Sequence, residues 1–404
     1  VNIVLKPTSH FSGTVQVPGS KSISNRVLLM GALAKGESEF FGILESDDTK
    51  YMRDALEKLG KPENANFPNK KADLFLGNAG TAMRSLTAVL CLGSGEYILR
   101  GEPRMHERPI KDLIDALRTL GANIEYLEND DCPPLKINAC GLNGGIVHIK
   151  GNISSQFLSA LLIAAPYCRE PLEIIVDGEL ISKPYVYMTI RLMEKFGIKV
   201  ENNGYKNFKV KKGNYKAQSF RIEGDASSAS YFWGGGAITR SNVIVNGIEK
   251  DSLQGDVKFL EVLEKMGTEL NGITIDATLF PDAAMTICPL ACYAKGKTKI
   301  TGIASWKVKE TDRISAMANE LRKVGAEVIT GDNSIEITPP EIIKPATIET
   351  YNDHRMAMCF SLLSLNSPHK KGAEITILNP LCVNKTFPEY FKEFERLRNP
   401  GNSV

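Results

Sequence analysis

A run of Leu, Ala and charged residues that closes in a glycine, often followed by a β-branched segment, recurs along the chain. The copies are MRDALEKLG ending at Gly60, LIDALRTLGANIEY with Gly121, IRLMEKFGIKVE with Gly197, FLEVLEKMGTEL with Gly267 and NELRKVGAEVI with Gly325. Each predicts an amphipathic helix, because the apolar residues gather on one face. The glycine can take the left-handed conformation that ends a helix and turns the chain into the next strand. A weaker sixth copy, FKEFERLR, lies within Tyr390 to Arg398. The glycines fall roughly 60 to 75 residues apart, too wide for a solenoid and suited to a βαβ-sized module. An α/β fold follows; internal symmetry and ordinary helix stops both remain open readings of the repeat. Val1 to Val17 mixes Lys6 and Pro7 with β-branched residues and predicts a first strand.

Segments rich in Gly and Ser, VPGSKSIS at 17–24 and EGDASSAS at 223–230, mark candidate hinges. Two crossings there predict a discontinuous domain, 1–19 with 225–404, and an inserted domain, 20–224.

With 404 residues, 43% apolar and 24% charged, the chain can bury more than one core. A net charge of +2 gives no general pull toward nucleic acid or an acidic membrane, so any anion site must be a local cluster. The longest apolar stretches, such as Phe157 to Ala165, are too short to span a bilayer, and the start lacks a secretory apolar core. The eight cysteines lie far apart, and Cys288 and Cys292 have no CxxC spacing; reduced structural thiols in a cytoplasmic protein are expected. A plastid location stays open if a transit peptide precedes Val1.

Several polar segments lead into apolar helical runs. Pro18 to Arg26, PGSKSISNR, places hydroxyls, Lys21 and Arg26 before a helix; Gly77 to Arg84, GNAGTAMR, does so with Gly80; Gly151 to Phe157, GNISSQF, with Ser154, Ser155 and Gln156. Helix N-termini beside cations or hydroxyls suit anions, and the same segments suit ordinary N-capped helices. Trp306 to Arg313, WKVKETDR, and Thr350 to Met358, TYNDHRMAM, add charged tips to two more helices, and Arg108 precedes another, with Pro109 expected in its first turn. No HxxxH or HxH spacing surrounds His354, so a metal site there is not expected.

Together PGSKSISNR, GNAGTAMR, DASSAS, KETDR, NDHRMAM and KTFPEYF resemble the enolpyruvylshikimate-phosphate synthase family over essentially the whole chain. The resemblance implies two domains, each of three βαβαββ repeats forming an inside-out α/β barrel, with a substrate cleft between them. It implies transfer of the enolpyruvyl group of phosphoenolpyruvate to the 5-hydroxyl of shikimate 3-phosphate, through a tetrahedral intermediate, with no cofactor and no metal. Carried over by motif, shikimate 3-phosphate would meet Lys21, Ser22, Arg26, Ser154, Ser155, Gln156, Ser182, Tyr185, Asp282, Ser305 and Lys309. Phosphoenolpyruvate would meet Lys21, Gly80, Arg108, Gln156, Arg313, Arg355 and Lys385, with Asn78, Thr81 and His354 in support. Glu310 would manage the proton at the methylene carbon, Asp282 would accept the hydroxyl proton, and Lys21 would stabilise charge on the phosphate. A monomer using only these two small-molecule substrates, without nucleic acid or membrane, is the implied state.

The chain departs from the family pattern in two places: Ser85 stands where the family usually has Pro, and Lys307 follows Trp306 where the pattern reads Arg; Ser305, where some relatives carry Asn, is still expected to supply a hydrogen bond to substrate. A Pro in a first helical turn narrows its conformations, so Ser85 predicts weaker binding of glyphosate, a competitor for the phosphoenolpyruvate site. Two alternatives remain. The sister transferase acting on UDP-N-acetylglucosamine uses a reactive loop cysteine for which Cys132 and Cys140 are no counterpart. A silent anion-binding protein would be expected to lose Lys21, Asp282, Glu310 or Arg313, all present.

Overall fold

Every glycine stop follows a helix and has a positive φ: Gly60, Gly121, Gly197, Gly267 and Gly325 lie between +65° and +97°. The helices they close are Asp47–Leu59, Lys111–Thr119, Lys183–Lys195, Phe259–Met266 and Arg313–Lys323, and Tyr390–Arg398 is the sixth. Each buries an apolar face, as Leu113, Ile114, Ala116 and Leu117 do in Lys111–Thr119.

In this computed structural model, which describes residues 2–60 and 71–399, a second set of helices alternates with the first. Lys21–Leu33, Gly80–Leu90, Ser155–Ala164, Ala226–Thr239, Ile287–Ala291 and His354–Ser361 carry no exposed residue. Runs of small and apolar residues on all sides, such as SALLIA, suit a helix enclosed by protein.

Strands link the two kinds of helix into one module. Strand Lys71–Phe75, buried helix Gly80–Leu90, strand Ser94–Arg100, amphipathic helix Lys111–Thr119, and strands Asn123–Tyr126 and Leu135–Cys140 follow in order. The first two strands pair in parallel, and Leu135–Cys140 then lies antiparallel between Ser94–Arg100 and Asn123–Tyr126. The same order recurs in Gly145–Lys150, Leu172–Asp177, Asn207–Val210 and Val200–Asn203, and in Thr274–Asp276, Thr298–Thr301, Ser334–Thr338 and Glu327–Gly331. Shorter parallel pairs complete the set: Glu39–Phe41 with Ser219–Arg221, Gly13–Gln16 with Val243–Asn246, and Ala346–Ile348 with Ile375–Leu378. Asn2–Leu5 flanks the last of these, antiparallel to Ile375–Leu378. The N-terminal segment therefore holds two strands in different sheets and not the single strand expected. Pro7 has no N–H to extend a ladder, and Phe11 is drawn fully into the core.

The chain divides into two compact units, Ser20–Ile222 and Val1–Gly19 with Glu223–Val404. Among the described residues each contains three parallel strand pairs and three of the buried helices, which makes the protein a two-unit α/β fold of repeated modules. Among the described residues no helix is long and apolar enough to cross a membrane.

Candidate active site

Most of the motif segments sit where buried helices begin, and KETDR opens the amphipathic helix Arg313–Lys323. A helix enclosed by protein leaves its first N–H groups without helical partners, and polar groups must meet them. In the unit containing both termini, Asp353 caps His354–Ser361, accepting from the Arg355 N–H at 2.9 Å, and Asp225 caps Ala226–Thr239, accepting from the Ser228 N–H at 2.7 Å. Asp312 caps Arg313–Lys323 through the N–H groups of Ile314 and Ser315 at 3.1 and 3.2 Å.

Those caps place a charged network in one spot. The fully buried Arg313 donates from Nε to Asp353 at 2.7 Å, from Nη1 to Asp282 at 3.2 Å, and from Nη2 to Glu310 at 2.9 Å. Arg355 reaches the other oxygen of Asp282 at 3.1 Å and donates to the Tyr231 hydroxyl at 3.2 Å. Lys309 lies 3.6 Å from Asp282, and Lys385 lies 3.8 Å from Glu310. Burial alone would weaken the hold of Arg313 on its proton; Asp353, Glu310 and Asp282 outweigh it and raise the guanidinium above its ordinary pKa. Ser305 stands in the turn Ala304–Val308, beside the buried Trp306, whose indole N–H donates to the Pro281 carbonyl at 2.8 Å. That bond ties the turn to the residue before Asp282. His354 is fully buried, its Nδ1 3.5 Å from Asp353.

The unit Ser20–Ile222 holds the remaining expected residues. Arg108 donates to the carbonyl and side-chain oxygens of Asn78 at 3.0 and 2.8 Å. Gly80 sits against this guanidinium and that of Arg84, and a Cβ there would stand 2.6 Å from each. Gln156 donates to Thr81 at 3.4 Å, which brings the third motif to the second. Arg26 donates to Thr189 at 2.8 Å and to the carbonyls of Ser22 and Tyr185 at 2.9 and 3.4 Å. Desolvation lowers its pKa to about 10, which leaves it cationic near neutrality. Lys21, on the same helix as Arg26, lies 3.5 Å from Asp48. Ser154 caps Ser155–Ala164, accepting from the Gln156 N–H at 3.2 Å, and Ser155 opens the helix. Ser182 is buried in a left-handed conformation, φ +53°, ahead of Lys183–Lys195, and its side chain does not cap that helix.

Two expectations need correction. Pro109 lies outside Lys111–Thr119, because Ile110 is its N-cap and Arg84 binds the Pro109 carbonyl at 3.0 Å. Ser85 is the sixth residue of Gly80–Leu90 and so belongs to the second turn. A proline there would remove a backbone hydrogen bond, which is a stronger constraint than the first-turn argument supposed.

Sequence reasoning passed over Asp353, Arg84, Asp48 and Asp256. Asp353 and Arg84 stand inside quoted motifs, where adjacency to Arg355 and Gly80 was an available signal. Asp48 and Asp256 carry no such signal, since their partners are remote in the chain. Cys132 has its thiol pKa raised, first by burial and then by Asp131, the opposite of an activated nucleophile.

Comparison with known proteins bears on the whole chain. The family EPSP synthase (3-phosphoshikimate 1-carboxyvinyltransferase) matches residues 5–394. A 3-phosphoshikimate 1-carboxyvinyltransferase from Marinomonas sp. is 50% identical, covering 98% of this chain and 100% of the relative. One from Sulfurovum sp. is 51% identical over 98% of this chain and 99% of its own length. The solved structure of EPSP synthase from Acinetobacter baumannii aligns with a TM-score of 0.79 at 25% identity, covering 98% of both chains. With the family matched from the first strands to the last helix, and most of its motifs found at the tips of the buried helices, the chain belongs to the EPSP synthase family.

Proposed function

We infer that this chain transfers the enolpyruvyl group of phosphoenolpyruvate to the 5-hydroxyl of shikimate 3-phosphate, releasing phosphate, in aromatic amino acid biosynthesis. Asp282 accepts the proton of the attacking hydroxyl as its oxygen bonds to the central carbon of phosphoenolpyruvate, while Glu310 delivers a proton to the methylene carbon. The tetrahedral adduct then loses phosphate from that carbon and a proton from the new methyl group, which restores the double bond. The single observation that supports this assignment is that Arg313 holds Asp282 and Glu310 on one guanidinium, at 3.2 and 2.9 Å. Glu310 shares Arg313 and Lys385, at 2.9 and 3.8 Å, with the anionic substrate assigned to them.

In the same reading phosphoenolpyruvate also uses Lys21, Gly80, Arg108 and Gln156, with Asn78 and Thr81 behind them and His354 behind Arg355. Shikimate 3-phosphate uses Ser22, Arg26, Ser154, Ser155, Gln156, Ser182, Tyr185, Ser305 and Lys309, the serines on the phosphate and Arg26 on the carboxylate. Lys21 stabilises charge on the phosphate. The enzyme acts as a cytoplasmic monomer.

Phosphate release from phosphoenolpyruvate, measured with shikimate 3-phosphate and in parallel with UDP-N-acetylglucosamine, tests the reading. Release that needs shikimate 3-phosphate and falls at least about 100-fold in Glu310→Ala is expected for loss of a proton-transfer group. Release only with the nucleotide sugar, or with neither acceptor, overturns it.

A further inference from the structure

The segment EGDASSAS, read from the sequence as a hinge, opens the buried helix Ala226–Thr239, and one face of that helix supports Asp282 and Arg355. Ser227 and Tyr231 are four apart and share the face. The Ser227 hydroxyl donates to Asp256 Oδ2 at 2.7 Å, and the Tyr231 hydroxyl accepts from Arg355. Asp256, in the turn Gly255–Lys258 and only 5% exposed, accepts through Oδ1 from the Ala283 N–H at 3.0 Å. Trp306 holds the Pro281 carbonyl, so the backbone is anchored on both sides of Asp282.

A neutral oxygen could accept both of those bonds. A buried carboxylate costs more than a neutral acceptor, and its charge therefore calls for another explanation. Among the charged groups that act on Asp256 are Asp282, on the turn it holds, and Arg355, from His354–Ser361. Lys258 and Glu261 pair with each other at the surface, 3.3 Å apart. Burial first, then Asp282, raise Asp256 to about 6, while Arg355, the Ser227 hydroxyl and the Ala283 N–H act in the opposite direction.

We propose that Asp256 is a positioning residue for Asp282, clamping the Pro281–Ala283 turn and, as a second negative charge, counteracting Arg313, Arg355 and Lys309 so that Asp282 takes a proton readily. This rests on the assignment of Asp282 as the proton acceptor. Asp256→Asn keeps the shape and an oxygen for the Ala283 N–H while removing the charge. Without that charge the cations hold Asp282 ionised to lower pH and weaken it as a base.

The pH profile of kcat, both KM values and the melting temperature are measured for Asp256→Asn, Ser227→Ala and Asp282→Asn in the full chain. For Asp256→Asn the expectation is a kcat lowered roughly tenfold, KM values within about twofold, and an acidic limb moved to lower pH, with no fall in melting temperature at pH 7. Ser227→Ala, which removes a bond that holds Asp256 ionised, raises the pH at which Asp256 loses its charge, so the acidic limb moves to higher pH. A wild-type profile in Asp256→Asn, or a loss of kcat with the limb unmoved, overturns the proposal while a collapse in Asp282→Asn leaves the underlying assignment standing. Should Asp256→Asn fail to fold, an unmoved limb in Ser227→Ala overturns it. Wild-type kcat in Asp282→Asn overturns that assignment and the proposal with it.

Discussion

Replacing Gly80 by alanine isolates the part of the site that depends on the absence of a side chain. The added Cβ would stand 2.6 Å from Arg108 Nη2 and 2.6 Å from Arg84 Nη1, where ordinary contacts begin at 3.4 Å. Each guanidinium must retreat by roughly 1 Å to restore a van der Waals distance. The fold tolerates this, because both clashing groups are ends of long side chains and Gly80 lies in the first turn of a helix. Alanine there is at least as good a helix former as glycine. The cost falls on the ligand. Arg108 is expected to bind phosphoenolpyruvate, and losing one charge-assisted hydrogen bond to an anion costs about 1.5–3 kcal/mol, or roughly 10- to 100-fold in affinity. Steady-state kinetics with each substrate varied in turn should therefore show KM for phosphoenolpyruvate raised by that factor, KM for shikimate 3-phosphate nearly unchanged, and an unchanged melting temperature. A wild-type KM for phosphoenolpyruvate in a stably folded variant would refute the reasoning. So would a clear drop in melting temperature, since the guanidinium groups would then not be yielding as supposed.

Ser85→Pro should cost stability, about 3 kcal/mol by the usual penalty for a helix-interior proline, and should strengthen glyphosate inhibition by reshaping the turn that carries Gly80 and Thr81; an inhibition constant equal to that of wild type would sink the second part. Arg313→Lys replaces a planar fork that serves three carboxylates with one ammonium. Urea unfolding should register a loss of roughly 3–5 kcal/mol for the poorly paired buried charges, alongside a kcat lowered at least about 100-fold, and a variant as stable as wild type would contradict the network. Asp256 also sets a pH dependence of stability. Its folded-state pKa, about 6, lies above the ordinary 3.8, so the folded state keeps a proton that the unfolded state releases, and stability falls as pH rises across that window. Asp256→Asn removes that loss and should be more stable than wild type above pH 6, by no more than about 3 kcal/mol; calorimetry at pH 4 and pH 7 showing no such divergence would count against the shift.

The amphipathic helices were legible because an apolar stripe ending in Gly is a local signal: Gly121, Gly197 and Gly325 each stop a helix for the same backbone reason, with a strand following closely. The polar tips PGSKSISNR, GNAGTAMR and NDHR were legible too, since a helix leaves unsatisfied N–H groups wherever it begins. Less legible was the role of each charge within a tip. Arg84 and Arg108 both flank Gly80, and only Arg108 was expected there. Asp353, passed over inside its own motif, makes the shortest of the four bonds that hold Arg313.

By itself, the sequence determined the kind of module, its helix ends and the inventory of anion-binding tips, because helix stops, caps and amphipathic faces depend on residues within a turn or two of one another. Its motifs also determined the family. Tertiary structure alone decided which charges meet. Asp282 and Asp353 reach Arg313 from 31 and 40 residues away, and Asp256 reaches the Ala283 N–H from 27 residues away. Such pairings arise when buried helices pack and every enclosed charge must find a partner or leave the interior. No local pattern encodes that requirement, because it is satisfied only once the modules have closed on one another.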